Sequence, residues 1–215
     1  MNMTATSAAE ARLTYEEMRG AQRFTLLIRT AKLVCESGEY LCIIRDVSET
    51  GVRLKLFHAL PADRRMALEL ANGEVYFIET VWERGGHAGF RFSAPIDVHG
   101  FIAEVSPFPR RQLRLRVDFP AVIAADGEAE GARLIDLSQN GARIDCERHL
   151  AVGQRVKLEA EGFPPVIARV AWRSTPEYGL AFEEVFTLKA LAVLIAGRHG
   201  VGSVQAPEIQ AVAAR

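Results

Sequence analysis

Cysteine is scarce in this chain of 215 residues: Cys35, Cys42 and Cys146 are the three present. Their number is odd and their spacing fits neither a disulfide framework nor a CxxC-type metal site. They are expected to sit reduced, as small hydrophobes in strands. Long apolar runs are missing too; none approaches the ~20 residues that cross a bilayer. The opening segment MNMTATSAAEAR has no apolar core of the kind a signal peptide carries. Membrane insertion is therefore not expected, and the cytoplasm is the expected compartment. Nor does one sign of charge dominate, with 26 Lys+Arg against 27 Asp+Glu and a formal net of −1. Binding a nucleic-acid polymer needs a strongly basic face to displace counterions, so that class is disfavoured, while a small basic pocket for one anionic ligand is compatible with the balance. The histidines (His58, His87, His99, His149 and His199) show no ligand spacing, so no metal is expected. H-E-x-x-H, G-x-S-x-G and Walker-type motifs are absent. The acidic pairs Glu16-Glu17 and Glu183-Glu184 stand in polar segments without a nucleophile. Nothing here supports an enzyme.

What the chain does have is apolar material, 49% of its residues, enough for two domains of about 100 residues each. It also has an internal repeat. IRDVSETGVRLKL, residues 44–56, resembles LIDLSQNGARIDC, residues 134–146. Asp46, Ser48 and Gly51 map onto Asp136, Ser138 and Gly141 at an offset of 90 (136 − 46). The same offset carries Arg53 to Arg143, Trp82 to Trp172, Gly89 to Gly179 and Phe92 to Phe182. A constant offset without a gap marks two copies of one unit.

Each unit reads as β. Residues 25–34, 40–46, 52–56, 66–70, 75–82 and 88–92 are short runs rich in branched and aromatic side chains. Ser37-Gly38, Thr50-Gly51, Asn72-Gly73 and Gly85-Gly86 separate them as turns. The second unit offers 121–124, 132–136, 142–146, 155–159, 166–172 and 179–182. The expected fold is mainly β: two tandem small antiparallel barrels, closed to remove exposed edges. Leu188, Leu191, Leu194 and Ile195 at helical spacing predict a short C-terminal helix over 187–198, packed on the second barrel. Thr14 to Glu17 has the form of a capping box and starts a short helix. The expected divisions are a disordered 1–13, a first barrel over 14–105, a second over 106–200 and a disordered tail over 201–215. Residues 93–109, with three prolines, are the expected connection. Trp82 and Trp172, repeated in equivalent late strands, are expected as core or rim residues rather than binding aromatics.

Upstream of each Asp-x-Ser-x-x-Gly stands an Arg-x-x-x-Arg: Arg19 to Arg23 before the first, Arg110 to Arg114 before the second. Their separation is one residue off the repeat (114 − 23 = 91). The combination resembles the PilZ family, clearly over 110–198 and through the repeat over 19–92. The resemblance implies a receptor for cyclic di-GMP, with Arg110, Arg114, Asp136, Ser138 and Gly141 as the preferred site. It gives Arg19, Arg23, Asp46, Ser48 and Gly51 the same roles in the first unit. Arg111, Arg116, Arg143, Arg53 and Arg29 are accessory candidates.

The chemistry of such a site is coherent. A guanidinium clamps a phosphate bidentately or pairs with guanine O6 and N7. The Asp136 carboxylate can accept from guanine N1–H and N2–H, Ser138 adds a polar contact, and Gly141 permits either a positive φ or a close ligand approach. The arginine segment is expected to order over the bound ligand and pass the change to a downstream protein partner, and a homodimer is one arrangement this allows. No cofactor beyond the ligand is implied. Two rivals stand beside this reading: a degenerate pair of barrels serving as a ligand-independent interaction module, and an oligonucleotide-binding barrel. The bland account of Asp-x-Ser-x-x-Gly is a polar turn in which Asp and Ser bond nearby backbone.

Overall fold

The computed structural model describes residues 24–63, 65–103 and 112–202. Arg19, Arg23, Arg110, Arg111 and the predicted helix at Thr14 lie outside the described residues. Within them, two closed six-stranded antiparallel barrels follow one another. The first is built from β1 (Phe24–Cys35), β2 (Gly38–Val47), β3 (Gly51–Leu56), β4 (Met66–Glu69), β5 (Val75–Arg84) and β6 (His87–Phe92). The second is built from β7 (Leu115–Ala125), β8 (Glu128–Leu137), β9 (Gly141–Asp145), β10 (Arg155–Ala160), β11 (Phe163–Ser174) and β12 (Glu177–Phe182). The order around the first is β1-β2-β3-β6-β5-β4, closed by β4 on β1, and the second repeats it as β7-β8-β9-β12-β11-β10, closed by β10 on β7. Each barrel therefore leaves no free strand edge.

Alternation explains which side chains fill each barrel. Along β7, Leu115, Val117, Phe119, Ala121, Ile123 and Ala125 are buried while the residues between them face outward. The outward set includes Pro120, which shortens the run legible in the sequence to its apolar half. β8 is likewise longer than its apolar stretch, because Glu128 and Glu130 are exposed strand residues. β11 begins at Phe163 and runs through Pro164 and Pro165, although proline usually argues against a strand interior.

Two helices follow matching strands. α1 (Val98–Ala103) comes after β6, and α2 (Leu188–Arg198) comes after β12. The repeat offset links them, since 188 − 98 = 90. Both are capped by a side chain at their start: Asp97 accepts from the His99 and Gly100 N–H groups at 3.0 and 3.1 Å, and Thr187 accepts from the Ala190 N–H at 3.1 Å. The segment expected as a bare connection thus contains a helix. Its Phe101 plugs the first barrel against Tyr76 and Phe92, with ring centroids 5.1 and 6.1 Å away.

The C-terminal helix does more than cover its own barrel. Leu191, Ala192 and Ile195 join the core of the second barrel, while Ala196 joins the core of the first. Beyond it, the Ala59 N–H donates to the Gly202 carbonyl at 2.8 Å, so the chain after the helix is bonded to the first barrel. Reciprocally, Leu41 of β2 packs into the core of the second barrel.

Candidate ligand-binding site

Strand register assembles the sequence-predicted residues. On the second barrel Arg116 pairs with Asp136, Asp136 with Arg143, Arg143 with Gly179, and Gly179 with Trp172. These five residues form one row across β7, β8, β9, β12 and β11. Directly paired residues share a face of the sheet, here the outer one, beside the buried Leu134 and Ile144. Irregularities in β7 (between Arg116 and Phe119), β8 (between Leu134 and Asp136) and β11 (between Val170 and Trp172) adjoin the row. An extra residue at such points bends the strand and re-aims its side chains.

Asp136 is the node of the row. It is 7% exposed, and both of its oxygens hold a guanidinium. Arg114 Nη1 donates to Oδ1 at 2.6 Å and Arg143 Nε donates to Oδ2 at 2.8 Å. Arg143 Nη1 also reaches Glu177 Oε2 at 3.3 Å. A guanidinium carries five N–H donors, so the bonds to Asp136 and Glu177 leave most of them on each arginine available to an anion. The half-exposed Arg114 presents them at the surface. One buried carboxylate thereby fixes the direction of two cationic forks.

Ser138 and Gly141 hold the turn that follows. The Ser138 N–H and hydroxyl both donate to the Gly141 carbonyl, at 2.8 and 3.1 Å. Ser138 is buried, so its hydroxyl serves its own turn. Gly141 is not among the glycines of positive φ. The close approach that requires it comes from β12, because a Cβ there would lie 2.2 Å from the Leu180 carbonyl oxygen. Of the two expectations for Gly141, the positive φ is thus corrected, and the close neighbour seen here is the β12 strand. At the far end of the row, the indole of Trp172 lies over Gly179, where a Cβ would meet its Nε1 at 2.0 Å. Trp172 is 39% exposed, a rim residue and not a core one.

The first barrel repeats this row as Thr25, Asp46, Arg53, Gly89 and Trp82. Arg53 Nη2 lies 2.5 Å from Asp46 Oδ2. Ser48 bonds the Gly51 carbonyl, and Trp82 covers Gly89. Register also explains the offset of 91. Phe24 pairs with Val47 as Leu115 pairs with Leu137, a separation of 91 (115 − 24), whereas Arg29 and Phe119 are 90 apart (119 − 29). β1 carries one more residue in its irregularity, between Thr25 and Arg29, than β7 does between Arg116 and Phe119. Arg29, an accessory candidate, pairs across the strands with Ile44 and not with Asp46.

One feature of the second site has no counterpart in the motifs. Arg116 sits in the row beside Asp136, yet its guanidinium turns to Glu39 of the first barrel. Glu39 Oε1 accepts from Arg116 Nε and Oε2 from the Arg116 backbone N–H, both at 2.8 Å. Glu39 is almost fully buried. Lys32 bridges it to Glu69 at 3.2 and 2.8 Å, making two acids and two bases. Burial pushes the Glu39 carboxyl up, but the Arg116 N–H, the Arg116 guanidinium and Lys32 together hold it below the ordinary carboxylate range. A single glutamate in a strand gives no sequence signal for such a contact. Among the described residues no cluster of His, Cys, Asp and Glu is arranged to hold a metal, and no helix is long and apolar enough to cross a membrane.

Residues 108–196 match the model of the family described as PilZ domain, a span that coincides with the second barrel and most of α2. None of the curated proteins matches the chain. Among solved structures, the chain is similar to PlzA of Borreliella burgdorferi, a complex with c-di-GMP, at 12% identity and a TM-score of 0.33, covering 86% of this chain and 97% of that one. It is similar to YcgR of Escherichia coli, also a complex with c-di-GMP, at 15% identity and a TM-score of 0.32, covering 89% of each. A third is the inhibitor of motility MotI/DgrA of Bacillus subtilis, at 11% identity and a TM-score of 0.34, covering 80% of this chain and 95% of that one.

Proposed function

We propose, from the premise that the second barrel is a PilZ domain, that this chain is a receptor for cyclic di-GMP and that the ligand is held at the Asp136 node. The observation that carries the reading is the pair of guanidiniums, Arg114 and Arg143, splayed from one buried carboxylate at the surface of that barrel. Arginines already oriented lose little freedom when an anion arrives, and their forks match phosphate oxygens or a guanine edge. Arg110 and Arg111 add further cations from the chain just ahead. Asp136 has both oxygens engaged, so its first role is to aim the arginines. It accepts from guanine N1–H and N2–H only when one arginine releases it for a phosphate. Ser138 and Gly141 act indirectly, by fixing the turn at the end of β8.

In the first barrel Arg19, Arg23, Asp46, Ser48 and Gly51 form a second, weaker candidate of the same kind, on a barrel outside the span of the family match. The signal to a protein partner is a change in the order of the arginine segment or in the angle between barrels.

Titration of fluorescent cyclic di-GMP tests the reading. Wild type should bind at or below tens of micromolar. Arg114→Ala and Arg143→Ala should each weaken binding by about tenfold or more, as expected for hydrogen bonds between charged groups. Arg155→Ala, which loses only the exposed pair with Glu183, should bind as wild type does. Absence of binding by wild type at these concentrations contradicts the proposal and favours a ligand-independent interaction module.

A further inference from the structure

We infer that Glu39 of the first barrel is a positioning residue for the ligand site of the second, so that this site is complete only when both barrels are present. The inference rests on the placement of the ligand at the Asp136 node. Arg116 follows Arg114 by two residues and stands next to Asp136 in strand register. Three arginines, Arg114, Arg116 and Arg143, thus surround a carboxylate that has two oxygens. Glu39 resolves the competition by taking the Arg116 guanidinium for itself and leaving Oδ1 of Asp136 to Arg114. Its second oxygen takes the Arg116 backbone N–H, which pins the start of β7 against the first barrel. Lys32, shared with Glu69, keeps the Glu39 carboxylate charged and in place inside the contact. Glu39 also adjoins Tyr40, whose ring lies against those of His58 and His199. The Glu39 end of the clamp is thus buried at the packed junction of the barrels, while the Arg116 side chain is 77% exposed, so the bond from the buried carboxylate to the Arg116 backbone N–H is what anchors the strand. Without Glu39, Arg116 is free to swing to Asp136, and the first residues of β7, with Arg114 just ahead of them, lose their anchor.

Two measurements on the full chain test this, one with the ligand and one without it. Calorimetric titration of cyclic di-GMP should show about a tenfold weaker affinity for Glu39→Gln, which is nearly isosteric and keeps one acceptor oxygen but no charge. Arg116→Lys, which retains the backbone N–H bond, should lose less. In ligand-free protein, hydrogen exchange at the Arg116 amide should be at least about tenfold faster in Glu39→Gln than in wild type, while amides of the β10–β11 pair keep their rates. A residue that merely adds stability would speed both sets together. Wild-type binding with unchanged affinity in Glu39→Gln overturns the inference and leaves the receptor reading intact. An Arg116 amide that exchanges no faster in Glu39→Gln overturns it as well. Failure of wild type to bind removes the receptor reading and the inference with it.

Discussion

The two barrels share a strand order, a turn and a row of Asp, Arg, Gly and Trp, but they surround that row differently. In the second, Asp136 holds Arg114 and Arg143 at once and a third arginine is drawn off by the neighbouring barrel. In the first, the described partner of Asp46 is Arg53, and the row begins with Thr25 where the second has Arg116. The row and its turn therefore belong to the architecture, because both barrels keep them. Among the described residues, arginines accumulate around one carboxylate in the second barrel, and it is there that a ligand site is proposed. The lesson is that a shared motif marks how a strand ends, and the charges gathered around it mark what the strand end is for.

Substitutions at matched positions separate architecture from site. The largest expected effect on stability is at the turn glycines. Gly141→Ala drives a Cβ to 2.2 Å from a backbone carbonyl, whereas the matching Gly51→Ala meets Phe90 O at 2.7 Å. Both require the strands to part, at a cost of about 3 kcal/mol for the tighter site and roughly 1–2 for the looser. Thermal unfolding should place Gly141→Ala below Gly51→Ala, and equal midpoints would break the comparison. Next come the tryptophans. Trp82→Ala and Trp172→Ala each uncover a strand glycine, and each should cost roughly 1 kcal/mol. The two losses should be alike, because the indoles are 43% and 39% exposed and do the same work in both barrels. A markedly larger loss of ligand binding in Trp172→Ala would assign that indole to the site as well.

The smallest effect is that of acid on the contact between barrels. His58 and His199 both titrate below the usual histidine value, burial being the chief cause in each. Their Nε2 atoms are buried without a hydrogen-bond partner among the described residues. The unfolded chain then takes up protons first as pH drops. This part of the stability is fully present above the ordinary histidine value of 6.5 and is lost as pH falls through the lowered folded values. Denaturant melts at pH 7.5 and 5.5 should therefore show lower stability at the lower pH, with the loss reduced in His199→Phe. An unchanged difference in that variant would show that the junction is not where acid acts.

Much of this was legible in the sequence, for reasons that can be named. The repeat and its short runs announced two β-barrels, because branched and aromatic side chains suit strands and the Gly-containing turn signals mark where each run ends. The short α1 was missed because Gly100 and the nearby Pro95 obscure its pattern; mapping Phe101 onto Leu191 by the repeat offset would have revealed it. The Asp-x-Ser-x-x-Gly motif was readable, but part of its meaning was not. The demand for Gly141 comes from a strand nearly forty residues later, and Ser138 bonds its own turn. Arg143 was among the accessory candidates, and register alone shows that it shares the carboxylate of Asp136. Glu39 had no signal at all, since a clamp between domains depends on how two barrels meet and leaves no periodicity in either.

The central claim, that the second barrel holds the ligand at Asp136 while the first keeps the same row mainly as structure, is tested most directly by one calorimetric comparison. Cyclic di-GMP is titrated into wild type, Asp136→Ala and Asp46→Ala. The account predicts that Asp136→Ala loses the heat of the tight site and that Asp46→Ala retains it with unchanged affinity. Tight binding that survives Asp136→Ala and disappears in Asp46→Ala would contradict it.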